Sequence, residues 1–582
     1  MFSIKRTSTL AKSVRFNSLS TRRVQRFNYF NFAIGTSFIF GLGYYLHQQN
    51  LIHNEEQQKL TIAPSVLPLS KLYPPKYCDE EQFKEGLAKI VEIVGKENVN
   101  SDSEVLAQYN DSFYSTHHPP DPNKQRPSAV VKPGSTEEVS KIMKIANAYA
   151  IPIVANSGLT SIEGQFINTQ GPLSISVSFA RMDNIIELHP EDLDVVVQPG
   201  VGWQDLDAYL QDSEEGSHLM FGPDPGPGAC IGGMIGTSCS GTNAYKYGTC
   251  KESIINLTVV LADGTIVKTK QRSRKSSAGY DMTHLFIGSE GTLGLVTEAT
   301  LKLSVRPKKE LVCIASFPTI RDATNVASKV ISQGIQPNAM EILDDRMISF
   351  VNKTSDTNLP EKPTLFFKIG GPSKVVIDEQ INTIENLTKE NKVVEFKRST
   401  DEDENLLLWQ ARKTGFWSSF EYGKTILKDK DDVQGWGTDI AVPVSKLPDM
   451  ISDTNDDLLK SGFKDRFAVM GHIGDGNCHF IILYNTPDYH KVQQAVDRMV
   501  FKAIDYEGTC TGEHGVGVGK RRYLVKELGQ STIDLERQIK LALDPKRILN
   551  PDKIFKIDPN DTLEKQLEGG KLHDSQTAAH LH

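Results

Sequence analysis

At 582 residues the chain is longer than one ordinary domain, and its composition, 38% hydrophobic and 24% charged, is that of a folded protein with room for a sizeable core. The net charge is −8, and seven basic residues precede the first acidic one, Glu55, so the rest of the chain carries −15. That balance excludes nucleic acid as the expected partner and suits a basic protein. Seven scattered cysteines without a C-x-x-C pair exclude a disulfide framework or zinc ribbon and predict mostly free thiols.

Residues 1–26 hold Lys5, Arg6, Lys12, Arg15, Arg22, Arg23 and Arg26 among many Ser and Thr, the composition of a mitochondrial presequence. Residues 27–54 are uncharged, and the 18 residues 29–46 approach the minimum for a bilayer span, with aromatic residues at both ends. A transmembrane anchor is expected over 27–48. The basic flank orients residues 1–26 to the matrix, tying the body to the mitochondrial inner membrane on its intermembrane-space side. A secretory signal-anchor shares this architecture.

Residues 49–78 read as a linker, polar and then proline-rich, and residues 79–126 as an N-terminal helical segment, with Phe83, Leu87, Ile90, Val91 and Val94 at helical spacing. The stretch "PSAVVKPGSTEEVSKIMKIANAYAIPIV" predicts strand, helix and strand. Ser135 and Glu138 form a capping-box pattern, Ile142, Ile145 and Ala146 the apolar stripe, and residues 151–155 the second strand. Glycine-rich loops and short strands continue to about residue 305. From 310 to 459 strands and helices alternate, as in an α+β domain covering a substrate. Residues 467–555 are again dense in motifs, and a polar tail follows from 557.

Three glycine clusters follow one another at 155–165, 221–248 and 278–303. "ANSGLTSIEGQ" offers a nest of backbone N–H groups for a pyrophosphate. It is not G-x-G-x-x-G, and no Walker lysine follows, which excludes Rossmann and P-loop readings. Three such clusters in order favour an extended dinucleotide-like cofactor.

In "GHIGDGNCHF" the Asp475-Gly476 pair predicts a type I′ hairpin turn that sets His472 directly opposite His479. Glu513 in "TGEHGVG" offers a third ligand, and two histidines with a carboxylate form the ligand set of a catalytic zinc or related divalent site.

"PSAVVKP", the nest loop, "VVVQPGVGW", "PDPGPGACIGGMIGTSCSGTNAYKYGT", "VVLADGTIV" and "GYDMTHLFIGSEGTLGLVTEATLKL" together resemble the PCMH-type FAD-binding domain of the vanillyl-alcohol-oxidase-like flavoproteins. "GHIGDGNCH", "GTCTGEHGVGVGKRRYL" and "LDPKRILNPDKIF" narrow the resemblance to the FAD-linked 2-hydroxyacid dehydrogenases. The resemblance runs from about residue 128 to 555. It implies an α+β fold, with an FAD-binding domain of two α+β subdomains over 127–306. An α+β cap with a C-terminal helical segment would occupy 307–556.

The resemblance also implies roles. Ser157, Gly158, Leu159, Thr160, Ser161, Glu163 and Gly164 would cradle FAD together with Pro223, Asp224, Gly228, Gly232, Gly233, Gly236, Ser240 and Gly241. Tyr247, Gly248, Glu290 and Gly291 would lie nearby. Several relatives carry "GGGT" or "GGGH" where this chain has "NSGLTS"; with no histidine there, FAD is expected to be non-covalent. The divalent metal, zinc first and manganese or iron as alternatives, would be held by His472, His479 and Glu513. His514 would be the base, and Arg412 would grip the substrate carboxylate. Gly437 stands where dicarboxylate-using relatives have a basic residue, which points to a small monocarboxylate; the resemblance itself favours D-lactate, with D-2-hydroxyglutarate or glycolate as alternatives. Trp409, Phe416 and Trp417 are candidate pocket walls. Cytochrome c is the implied electron acceptor; an electron-transfer subunit lacking turnover of its own is the reading from another class.

Overall fold

The computed structural model describes residues 65–563 apart from 113 and 356. The expected presequence and anchor, most of the expected linker and the end of the polar tail lie outside the described residues. Among the described residues no helix is long and apolar enough to cross a membrane.

The first sheet has four strands, in the order Val99–Asn100, Ala129–Val131, Ile175–Ser178 and Ile153–Asn156. Its last three strands are parallel, so they must be joined by crossovers, and helix Thr136–Tyr149 supplies one. Ser135 caps that helix by accepting from Glu138 N. The reciprocal half of the capping box goes elsewhere: Glu138 Oε2 accepts from Gly134 N at 2.8 Å. Val139, Ile142, Met143 and Ala146 form its buried face against Phe83 and Ile90 of helix Glu80–Val94. The chain's end returns to this sheet: Ile548 and Leu549 lie in the same core, and Ile153 exchanges backbone hydrogen bonds with Ile548 and Asn550.

A second, six-stranded antiparallel sheet is built around the long strand Leu295–Val305, which pairs with Asp194–Val197, Ile254–Val260 and Leu219–Phe221. Helix Ile231–Thr237 packs in its core through Ile231, Met234 and Ile235.

The third sheet is an eight-stranded antiparallel one in residues 309–484, with order Glu395–Arg398, Lys309–Ser316, Thr364–Gly371, Ala339–Leu343, Phe467–Gly471, Asn477–Tyr484 and Gln434–Gly437; Ile440–Ala441 joins Asn477–Tyr484 off that path. Helices Ile320–Ser332, Lys374–Lys389, Leu447–Lys460 and Tyr489–Asp505 contribute to one core, while Asp345–Thr354 and Glu402–Ile426 contribute to a second. All seven cysteines are free thiols, as the spacing predicts.

Candidate active site

The hairpin carrying the two histidines departs from the predicted register. Met470, not His472, pairs with His479, and residues 473–476 make a four-residue loop with Gly476 at φ +74°. The predicted two-residue turn is therefore wrong, because His472 accepts from Asn477 N and the loop closes earlier in the chain. The register moves by two residues, and side chains alternate with period two, so both histidines keep the same face as diagonal neighbours. Their ring centroids are 5.5 Å apart.

Glu513 completes the group. Its Oε1 lies 3.1 Å from His472 Nε2 and 3.2 Å from His479 Nε2. The opposite ring nitrogens are engaged: His472 Nδ1 lies 2.7 Å from Glu341 Oε1, and His479 Nδ1 lies 2.8 Å from the Thr438 carbonyl. Acceptors at both Nδ1 positions fix the tautomers that leave the Nε2 lone pairs for a cation, the usual outer support of metal-bound histidine. His472, His479 and Glu513 therefore fit a divalent ion by donor type and orientation. Asp439 also lies close, with ligand-type atoms of Asp439, His479, Glu513 and His514 all within 4.8 Å of one another. Its Oδ2 accepts from Thr511 Oγ1, Glu513 N and His514 N and its Oδ1 from Asn477 Nδ2, so it is engaged chiefly with the protein's own donors.

His514 stacks on His479 at 5.2 Å with planes 12° apart. Gln165 Nε2, at the end of the first glycine loop, donates to the His514 carbonyl at 2.7 Å. Burial lowers the affinity of the imidazole for a proton, but the carboxylates of Asp439 and Glu163 outweigh it, and the pKa stands above its ordinary value. Glu163 Oε1 is 3.8 Å from His514 Nδ1, too long for a hydrogen bond, and 3.1 Å from Lys520 Nζ. Glu163 thus joins the glycine loop to the active-site wall.

Arg412, on the inner side of helix Glu402–Ile426, is buried. Its Nε is 2.9 Å and its Nη2 2.6 Å from Glu341 Oε2. One carboxylate therefore serves both Arg412 and His472. Trp409 is buried beneath Lys368 Nζ, Phe416 is half-buried, and Trp417 is 48% exposed.

The glycine clusters meet at one place. A Cβ on Gly158 would lie 2.4 Å from the Gly228 carbonyl, and one on Gly232 would lie 2.7 Å from Ser157 Oγ. Thr160 approaches Gly228, Glu290 N donates to the Gly236 carbonyl, and Gly291 faces Ala155. A Cβ on Gly233 would meet nothing within 4 Å, although this glycine stands on a helix. The glycine backbone at Gly228, Gly232, Gly233 and Gly236 fits a cradle for a flavin dinucleotide, flanked by the half-buried residues Leu159 and Ser161.

Other predicted cofactor residues brace this cradle. Asp224 accepts from Thr242 Oγ1 and Asn243 N and is covered by Gly241; Pro223 and Ser240 are buried beside it. Tyr247 abuts Gly222, and Gly248 ends its short helix. Gly164 turns the loop at φ +73° against Val518. The carboxylate of Glu290 accepts from Val516 N and Gly517 N, holding the segment after His514, and burial pushes its pKa up to about 7. Neither Glu341, Asp439 nor Lys520 is marked out by sequence spacing.

A glycine cradle and a largely buried His, His, Glu cluster are the parts of a flavin-linked oxidoreductase with a metal-type site. Family models agree: residues 127–270 match "FAD binding domain" and residues 306–554 "FAD linked oxidases, C-terminal domain". The structure resembles 4-ethylphenol oxidase from Gulosibacter chungangensis at TM-score 0.66 and 20% identity, covering 84% of this chain and 99% of that one, which establishes the shared fold. Among curated proteins the chain is 48% identical to the mitochondrial D-lactate dehydrogenase (cytochrome) of Kluyveromyces lactis, over 87% of each. It is 47% identical to D-lactate dehydrogenase (cytochrome) 1, mitochondrial, of Saccharomyces cerevisiae, over 89% of each. The chain belongs to the family of the FAD-linked D-lactate dehydrogenases (cytochrome).

Proposed function

We propose that this protein oxidises D-lactate to pyruvate with non-covalently bound FAD and passes the electrons to cytochrome c. The observation that carries the reading is the meeting of His472, His479 and Glu513 with His514, whose carbonyl is tied to the FAD loop through Gln165. The relatives' names supply the acid and the acceptor.

Residues 157–161, 228–236 and 290–291 would hold FAD, and His472, His479 and Glu513 a divalent ion, zinc before manganese or iron. When bound, the flavin supplies a two-electron acceptor for the substrate C2–H, and the ion supplies Lewis acidity toward the 2-hydroxyl and carboxylate. His514 takes the hydroxyl proton on its ring. Arg412, set by Glu341, presents a guanidinium for the carboxylate. The buried surroundings exclude water from the proton transfer. Gly437 adds no charge to the pocket, in keeping with a monocarboxylate.

The test is anaerobic bleaching of the flavin by D-lactate but not L-lactate, followed by reoxidation with ferricytochrome c. Faster bleaching by D-2-hydroxyglutarate or glycolate would reassign the substrate, and no bleaching by any of the three would remove the enzyme reading. Acid precipitation should leave the yellow chromophore in solution; colour in the pellet would refute non-covalent binding.

The basic residues 1–26 and the uncharged residues 27–54, together with the mitochondrial relatives, support an inner-membrane anchor with the catalytic body in the intermembrane space. Resistance to carbonate extraction and digestion by protease once the outer membrane is opened are expected.

A further inference from the structure

We infer that Asp439 is the positioning residue that fixes Glu513 and His514 together, through their backbone N–H groups. The inference rests on the metal-ligand and base roles given to those two residues above.

Asp439 lies between the short strands Gln434–Gly437 and Ile440–Ala441 and is fully buried. Its Oδ2 accepts from Glu513 N and His514 N, each at 2.9 Å, and from Thr511 Oγ1 at 2.8 Å. Lys520 Nζ stands 3.3 Å from the same oxygen. Its Oδ1 accepts from Asn477 Nδ2 at 2.9 Å, and its backbone carbonyl accepts from Gly512 N at 3.0 Å. One residue therefore holds Thr511, Gly512, Glu513 and His514.

Loop 511–514 is neither helix nor strand; Gly512 lies within it, and Gly515 and Gly517 follow it. Consecutive N–H groups converging on one anion form a nest; here the anion belongs to the protein. The nest sends the Glu513 side chain to the two histidines and lets the next residue, His514, stack on His479. Asn477 lies two residues before His479 on the same strand, so Asp439 also ties this loop to the histidine hairpin. Every partner of the carboxylate is a donor, so an amide at this position must oppose one of them with its own NH₂. Lys520, shared with Glu163, supplies the countercharge that such a buried anion requires.

The test compares full-length, FAD-loaded wild type and Asp439→Asn. Each is stripped with a chelator and titrated with zinc alone, and each is reduced anaerobically by D-lactate in a stopped-flow instrument. Expected for Asp439→Asn are retained FAD, zinc affinity at least tenfold weaker, and a limiting flavin-reduction rate at least tenfold lower, the range for loss of a group that orients ligands. Both values within threefold of wild type, with only the melting temperature lowered, would show a purely structural residue and overturn the inference. If the wild type binds no zinc, the metal reading fails on its own account, and the reduction rates still decide whether Asp439 positions His514. Should Asp439→Asn not retain FAD, Thr511→Val decides, since it removes one donor and leaves the charge. A threefold or greater loss of zinc affinity or reduction rate is expected, and no change in either overturns the inference.

Discussion

Replacing Glu341 by Gln tests the site at its most shared atom pair. The Glu341 side chain is wholly buried, with Oε1 2.7 Å from His472 Nδ1 and Oε2 2.6 Å from the Arg412 guanidinium. A glutamine must turn its NH₂ to one of these partners. Being neutral, it removes the buried ion pair in either orientation; turned toward Arg412, its NH₂ also sets donor against donor. Turned toward His472, it makes Nδ1 an acceptor and moves the ring proton to Nε2, the nitrogen that faces Glu513. Either orientation leaves Arg412 an unpaired buried charge, which costs about 3–5 kcal/mol of stability. The second removes a lone pair from the cation site, and loss of such outer support weakens metal binding about 10–100-fold. Urea unfolding of the FAD-loaded protein and zinc titration after chelation measure the two. Glu341→Gln is expected to lose at least one of them in full. A variant within about 1 kcal/mol of wild type in stability, and within threefold in zinc affinity, would refute the role assigned to Glu341.

Three other outcomes follow from the geometry. Gly233→Ala places a methyl group where nothing lies within 4 Å, on a helix; the apoprotein should gain up to about 1 kcal/mol in a melt, while FAD binding followed by fluorescence weakens at least tenfold. His514→Ala should retain FAD and lose about 10²–10⁴-fold in flavin-reduction rate; near-normal reduction would remove its role as base. Glu290, raised by burial from its ordinary 4.5 to about 7, holds its proton more tightly folded than unfolded. Its contribution to stability is therefore fully present below pH 4.5 and is lost as pH rises through 7. Glu290→Gln should remove about 3 kcal/mol of that pH dependence in urea titrations of the apoprotein, and parallel wild-type and variant profiles would contradict it.

What the sequence revealed, and what it did not, divides along sequence distance. The helix start at Ser135 and the helical face of residues 142–146 were legible because caps and stripes are local. The two histidines were legible as a facing pair despite the wrong register, because a shift of two preserves the face. Glu513, singled out by ligand chemistry, does lie beside both histidines. Glu341 was not legible: its partners stand 71 and 131 residues away, and no periodicity links them. Asp439 stayed hidden because its main partners are backbone N–H groups, which leave no trace in residue types. The ion pair of Arg412 likewise arises only where helix Glu402–Ile426 crosses the third sheet.

The return of the chain's end to the first sheet has a consequence for how the protein matures. Lys553 donates to the Ile167 carbonyl across 386 residues of sequence, and Ile153 bonds to Ile548 and Asn550. The N-terminal half cannot complete its own core until nearly the whole chain is present, so the cofactor cradle closes late. Contacts this remote form slowly and leave partly folded intermediates open to aggregation. A chain that is threaded through a membrane from its N-terminus would remain unable to hold its flavin until the last segment had followed.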